Sequence, residues 1–335
     1  IVSQPAEGVQ ALINENATIT VNADLTDSYF SDDLLYQWYL NGEAVTDGTK
    51  TTTVTTSATV PGTVETTYTS DGSASVPGTS TDIEVTVCGA QGGSGGDDAG
   101  GPGGSGGDGK CGKFSLPASA KELVFKIGTR GNGGTSGNQN AFGIGGAVTG
   151  TGNGGNGGGA GQDGYSGGGG GGGAASKVLL DTDLILIAAG GGGGGGGSHN
   201  VAGGDGSDGN DFESESGFPS EHNGNVGDDA SEDGGGGGGG GAGSTGGSAG
   251  SSGADNQSAS TGGGGGSGKY TTSQATLVSQ WLNQGDGYAH LKYTGYTDQE
   301  VTTTRNTILS GTTSNTLTIS ADIVGVQTCQ CKITS

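Results

Sequence analysis

Leu184-Ile185-Leu186-Ile187-Ala188-Ala189 runs without interruption into eight glycines, Gly190 to Gly197. An apolar stretch of strand length with no polar alternation is expected where both faces of a strand are buried. The glycines attached to it can be read in two ways. Glycine loses the most backbone entropy on ordering, so Gly/Ser-rich sequence defaults to a flexible linker. The other reading is ordered polyglycine. An extended threefold helix makes no internal hydrogen bonds, so its N–H and C=O groups point sideways. Without side chains, several such helices can approach and bond to one another. The chain holds further runs at Gly167 to Gly173, Gly234 to Gly241 and Gly262 to Gly266. At about 3.1 Å per residue, runs of seven or eight would span roughly 22–25 Å. Three runs of nearly equal length suit a packed bundle, whereas a linker has no reason to match lengths. Ordered packing is the expectation.

Composition agrees that the chain is not an ordinary globular protein. Glycine supplies 82 of 335 residues and hydrophobic residues only 28%, against an average glycine usage of about 7%. The large apolar side chains sit in strand-like islands, which suggests two domains. Formal charge is −23, from 34 acidic and 11 basic residues. A polyanion repels phosphate backbones and anionic lipid, which argues against nucleic-acid or membrane-surface partners. The longest apolar run is too short to span a bilayer, so no membrane insertion is expected. There is no Met, and the chain begins at Ile1, as a processed protein or a piece of a longer one would. The four cysteines, Cys88, Cys111, Cys329 and Cys331, do not have the paired C-x₂-C spacing of a zinc site. Cys88 and Cys111 flank a glycine loop. A disulfide closing it in an oxidising compartment and two unpaired small apolar side chains are the alternatives.

The outer segments carry a different pattern. Ala17 to Ala23 alternates with period two, and Tyr36-Gln37-Trp38-Tyr39-Leu40 ends at the turn-forming pair Asn41-Gly42. The pattern resumes at Ser314-Asn315-Thr316-Leu317-Thr318-Ile319-Ser320, followed by 321–325 and a strand from Gln327 through Cys329 and Cys331 to Ile333. This order resembles the immunoglobulin-like repeats of tailed-phage surface proteins. The resemblance implies a sandwich in which Trp38 packs in the core beside Cys329. Val21 and Ala23 stand where the partner cysteine would be, and Gln327 where the corner tyrosine would be. The chain also stops at Ser335, where a final strand would follow, as an excerpt from a longer series of domains would.

Everything between these halves is then an insertion into one loop. The expected organisation is an immunoglobulin-like domain in two parts, 1–50 and 308–335. An extended connecting arm at 51–81 and a return arm at 295–307 enclose a glycine-rich β-domain at 82–294. Strands are expected near 82–87, 122–127, 184–189 and 288–293. Val87-Cys88-Gly89-Ala90-Gln91-Gly92-Gly93, Ile187-Ala188-Ala189-Gly190 and Gly285-Asp286-Gly287-Tyr288 resemble the glycine-rich domain family, which occurs in the extracellular region of anaplastic lymphoma kinase and in bacterial and phage proteins. That resemblance implies a jelly-roll-like β-scaffold carrying bundled polyglycine helices. Phage tail-tip adhesins likewise use polyglycine bundles to display binding loops. The fold class expected is therefore all-β.

Catalytic constellations are not found. His199, His222 and His290 stand apart from one another and from any nucleophile, and no nucleophile elbow has a strand–helix context. Gly203 to Asp211 imitates a calcium-binding nonapeptide, but once, where such sites need stacked copies. No cofactor and no metal are expected. Phe142 and Ile144, and Phe212 and Phe218, interrupt the glycine with large apolar side chains. On a rigid platform these stretches would either form recognition loops or plug the ends of the bundle. Together the features point to a non-enzymatic structural or adhesive protein of a phage virion surface, a tail fibre or decoration protein. Its partners would be other copies, other virion proteins, and a host-surface glycan or protein. The alternative is the extracellular binding domain of a cellular receptor or secreted adhesin, in which Asn16 and Asn256 would be glycosylation acceptors.

Overall fold

The computed structural model describes residues 16–21, 23, 34–98, 100–119, 121–137, 141–161, 166–255, 257–321 and 329–334. The expected corner at 322–325, Gln327 and the acceptor Asn256 lie outside the described residues. Every regular element among them is a strand, so the chain is all-β as the pattern predicts. In order they are β1 (Asn16–Thr20), β2 (Leu35–Leu40), β3 (Glu43–Ala44), β4 (Gly48–Tyr68), β5 (Gly72–Val76), β6 (Thr81–Cys88), β7 (Gly109–Leu116), β8 (Lys121–Lys126) and β9 (Ser136–Gly137). They continue as β10 (Ser166–Gly167), β11 (Ser176–Leu180), β12 (Asp183–Ala188), β13 (Asn210–Glu215), β14 (Ser267–Thr271), β15 (Thr276–Asn283), β16 (Tyr288–Ser310), β17 (Thr316–Ala321) and β18 (Cys329–Thr334).

Two compact units divide the chain, 1–60 with 298–335 and 61–297, so the second is an insertion into the first. The division falls inside the long strands β4 and β16, which pair with each other. Their Thr-rich sequence is read directly in the pairing: Thr59 Oγ1 donates to Asp298 Oδ1 at 2.8 Å.

In the discontinuous unit, β1, β17 and the end of β16 form one sheet and β18, β2 and β3 another. Val21, Trp38, Leu40, Leu309, Leu317 and Ile319 fill the space between them. The Asn41-Gly42 pair turns β2 into β3 with φ of 52° and 85°, the positive values a tight hairpin requires. The Trp38 indole N–H donates to the Ser314 carbonyl at 2.8 Å. Asp47 Oδ1 accepts from the Thr312 N–H at 2.8 Å and hydroxyl at 2.7 Å. Those two hydrogen bonds hold the Asp47 carboxyl below its usual range.

The inserted unit is also a two-sheet sandwich. Its first sheet has the order β16–β6–β7–β15 and its second β13–β14–β12–β11–β8–β5. β6 alternates strictly, placing Ile83, Val85 and Val87 inward against Phe114, Leu123, Phe125 and Leu186. β12 lies between β14 and β11, and it is buried on both faces for an identifiable reason. Leu186 and Ala188 belong to the sandwich core, whereas Ile187 packs on Ala175 and Ala242 at the ends of glycine runs. The expected arm over 51–81 ends earlier than its composition suggests. Gly72–Val76 pairs with β8 as part of the second sheet, and Val76 is buried in the core. Asp71 secures that junction, accepting from the Ile127 N–H at 2.9 Å and from Lys126 Nζ at 3.0 Å.

Candidate functional site: the glycine lattice and its edges

From the ends of the sandwich strands the chain passes into extended segments that hydrogen-bond mainly to one another. The run 190–197 sets the pattern. The N–H groups of Gly190, Gly193 and Gly196 donate to Ala242, Gly239 and Gly236. Those of Gly191, Gly194 and Gly197 donate to Ala90, Gly93 and Gly96, and those of Gly192 and Gly195 to Ser207 and Gly204. Each third residue therefore returns to the same neighbour. The carbonyls follow the same rule, with Gly266 and Gly263, Gly173 and Gly170, and Gly107 and Gly104 donating into the run. Six segments surround it. The runs 167–173 and 234–241 are enclosed in the same way, each bonding to segments on all sides.

Close packing dictates the sequence here. A Cβ on Gly193 would overlap the carbonyl oxygen of Gly170, and one on Gly172 that of Gly240. Only glycine lets backbone approach backbone on every side. The three long uninterrupted runs are thus the three enclosed segments. Segments at the periphery have an open side, and there a side chain returns every third residue: Gln91, Ser94 and Asp97; Pro102, Ser105 and Asp108; Asn223, Val226 and Asp229. This three-residue phase, Gly-Gly-x in the first two series and with one glycine per repeat in the third, was present in the sequence, masked by its low complexity.

The peripheral side chains close the edge. An outer segment has N–H groups with no further segment to receive them, and Asp or Asn on the adjacent segment accepts several. Asp205 Oδ1 takes the Ser105 N–H at 2.7 Å and Asp208 Oδ1 the Asp108 N–H at 2.8 Å. Asn153 and Asn156 take those of Val148 at 2.8 Å and Gly145 at 2.9 Å. Asn223 accepts from Gly152 and Asn153, both at 2.9 Å, and Asp229 from Gly159 at 2.7 Å. The calcium-like stretch 203–211 accordingly spends Asp205 and Asp208 on capping the neighbouring segment and runs into β13 at Asn210. Among the described residues no three His, Cys, Asp or Glu side chains gather as a metal ion requires.

The residues singled out from sequence are not brought together. Phe142 and Ile144 project from the 141–148 segment on the side of the lattice, and Phe218 is exposed in the loop after β13. Phe212 corrects the expectation of a recognition loop. It lies in β13, buried, with its ring 5.0 Å from that of Phe114 in an edge-to-face contact. Gly112 makes room for it: a Cβ there would meet Phe114 and Phe212 ring atoms at 2.6 and 2.7 Å. Cys88 and Cys111 are directly opposed across β6 and β7 and joined as a disulfide, their Cα atoms 4.0 Å apart. Cys329 and Cys331 are free and face the core that contains Trp38, with Cys331 directly across from it in β18. Burial raises both thiols above their usual range.

Sequence reasoning missed β15, whose eight residues include the exposed Val278, Trp281 and Leu282. Register places Trp281 opposite Cys111 and Tyr288 opposite Cys88, so one row across the outer face reads Tyr288, Cys88, Cys111, Trp281. No protein-family model matches the chain, and no curated protein is a significant match to it.

Proposed function

We propose that this chain is a structural and adhesive module of a phage virion surface, a tail fibre or decoration protein, with no catalytic role. The single observation that carries the reading is the lattice of glycine segments, in which backbone groups bond to neighbouring segments on all sides of the three long runs. We read its three-residue repeat as that of threefold polyglycine helices. Such an array is stiff because each segment is tied to several others, and it resists proteases because cleavage needs a local opening. The acid-rich periphery keeps the array soluble and repels anionic partners. The two-sheet scaffold anchors it, and the exposed Phe142, Ile144 and Phe218 supply apolar contacts for a host-surface glycan or protein. Immunogold labelling of intact particles with an antibody against the chain tests this. Label on the particle exterior is the expected result, and particles that carry none would overturn it.

A further inference from the structure

We infer that the free edge of β15 is a pairing surface for a second copy of this chain, joined antiparallel, β15 to β15. β15 ends the order β16–β6–β7–β15, so one of its sides has no strand partner among the described residues. Exposed edges normally carry devices that block pairing: a charge, a proline, a bulge, or very short length. The other edges of the same sandwich have them. β13 reads Asn210-Asp211-Phe212-Glu213-Ser214-Glu215, with three acids in six residues, and β5 has five residues closed by Pro77. β15, Thr276-Leu277-Val278-Ser279-Gln280-Trp281-Leu282-Asn283, has neither charge nor proline, and the uncharged sequence extends from Tyr270 to Gly285. Its one such device is a bulge at Val278, between Leu277 and Ser279, and from Ser279 to Asn283 the strand is regular.

The side chains along this edge fit an apolar contact. Val278 is 56% exposed, Trp281 38% and Leu282 43%. The choice of a second copy rests on charge. Each chain carries −23, and like charges placed face to face oppose association. An uncharged strip is where two such chains can approach at least cost. It also offers nothing to attract a basic partner. Antiparallel pairing of a strand with its own copy is the isologous arrangement of a twofold dimer. Centred on Trp281, within the regular stretch 279–283, it sets the two Trp281 side chains against each other and Gln280 against the partner's Leu282.

Sedimentation velocity on the whole chain with Cys329→Ser and Cys331→Ser, which remove any contribution from the two free thiols and leave the Cys88–Cys111 disulfide intact, tests the inference. A concentration-dependent dimer is expected, strengthened by added salt because the repulsion is screened. Val278→Lys and Trp281→Lys should each give a monomer whose thermal unfolding is unchanged. Should Trp281→Lys fold poorly, Val278→Lys carries the test alone, because that side chain is the most exposed of the three. A wild-type chain that stays monomeric at every concentration and salt would overturn the inference. A dimer that persists in Val278→Lys would overturn its location. Either result leaves the virion reading standing, since that rests on the lattice and on labelling of particles.

Discussion

The amide of Gly193 donates to the carbonyl of Gly239 at 2.7 Å, and no side chain stands between the two backbones. Gly263 donates in turn to Gly193 at 2.8 Å. In a sheet a strand bonds to neighbours on only two sides; here successive residues of one segment turn to a new neighbour each time. The enclosed runs are therefore fixed from all directions, and their stability depends on the absence of Cβ atoms rather than on side-chain contacts.

Alanine substitution separates these positions sharply. Gly193→Ala would force apart the segments around Gly170, breaking several backbone hydrogen bonds at about 1 kcal/mol each, so a loss of about 3 kcal/mol or more is expected. Gly217→Ala meets nothing within 4 Å and should be neutral or slightly stabilising, because it restricts the unfolded chain. Urea denaturation of the two variants checks the contrast; equal stabilities would contradict close packing of the lattice.

Val226 occupies the middle of the series Asn223, Val226, Asp229, whose other two members accept amide protons from the neighbouring segment. Its side chain has no acceptor and is exposed. Val226→Asn should therefore complete the edge and raise stability by about 0.5–1.5 kcal/mol. Asp208→Ala, which removes the acceptor of the Asp108 amide, should lower it by a similar amount. A calorimetric melting series would reveal both shifts, and an unstable Val226→Asn protein would count against the capping account.

Acid should weaken the inserted sandwich at the β5–β8 junction. Burial pushes the Asp71 carboxyl up, but the Ile127 N–H, the Thr149 hydroxyl and Lys126 together hold it below its usual value. A carboxyl with a depressed folded pKa contributes stability that is fully present above its unfolded pKa of about 3.9. That contribution is lost as pH falls through the folded value. Denaturant midpoints measured from neutral pH downward should fall below about pH 4, and Asp71→Asn should flatten that acid limb. An identical acid limb in Asp71→Asn would remove Asp71 from the explanation.

What was legible in the sequence was what depends on simple periodicity. Ile83, Val85 and Val87 alternate and form an inward face; 184–189 does not alternate and is buried on both. The matched glycine runs are the enclosed segments. Other elements were hidden for physical reasons. β7 contains Gly109 and Gly112 and reads as loop, yet Gly112 is small because two aromatic rings fill its space. Phe212 sits among acids that look solvated, and Asp211 and Glu213 on either side of it are indeed exposed, while its own ring is buried against Phe114. β15 looks polar because half of its residues are Thr, Ser, Gln and Asn, and an edge strand needs little apolar surface to pair on one side. Several edge caps join segments far apart in the chain, as with Ser105 and Asp205, so no local pattern announces those.

Amide hydrogen exchange across the glycine runs tests the central claim most directly. Peptides covering Gly190 to Gly197 and Gly236 to Gly241 should stay protected on the timescale of global unfolding, because each of those amides donates to a neighbouring segment and would need the lattice opened before it could exchange. Protection should fall off toward the exposed loop 216–221. Exchange of the runs at random-coil rates would mean that the glycines are linkers, and the rigid lattice with every inference built on it would fail.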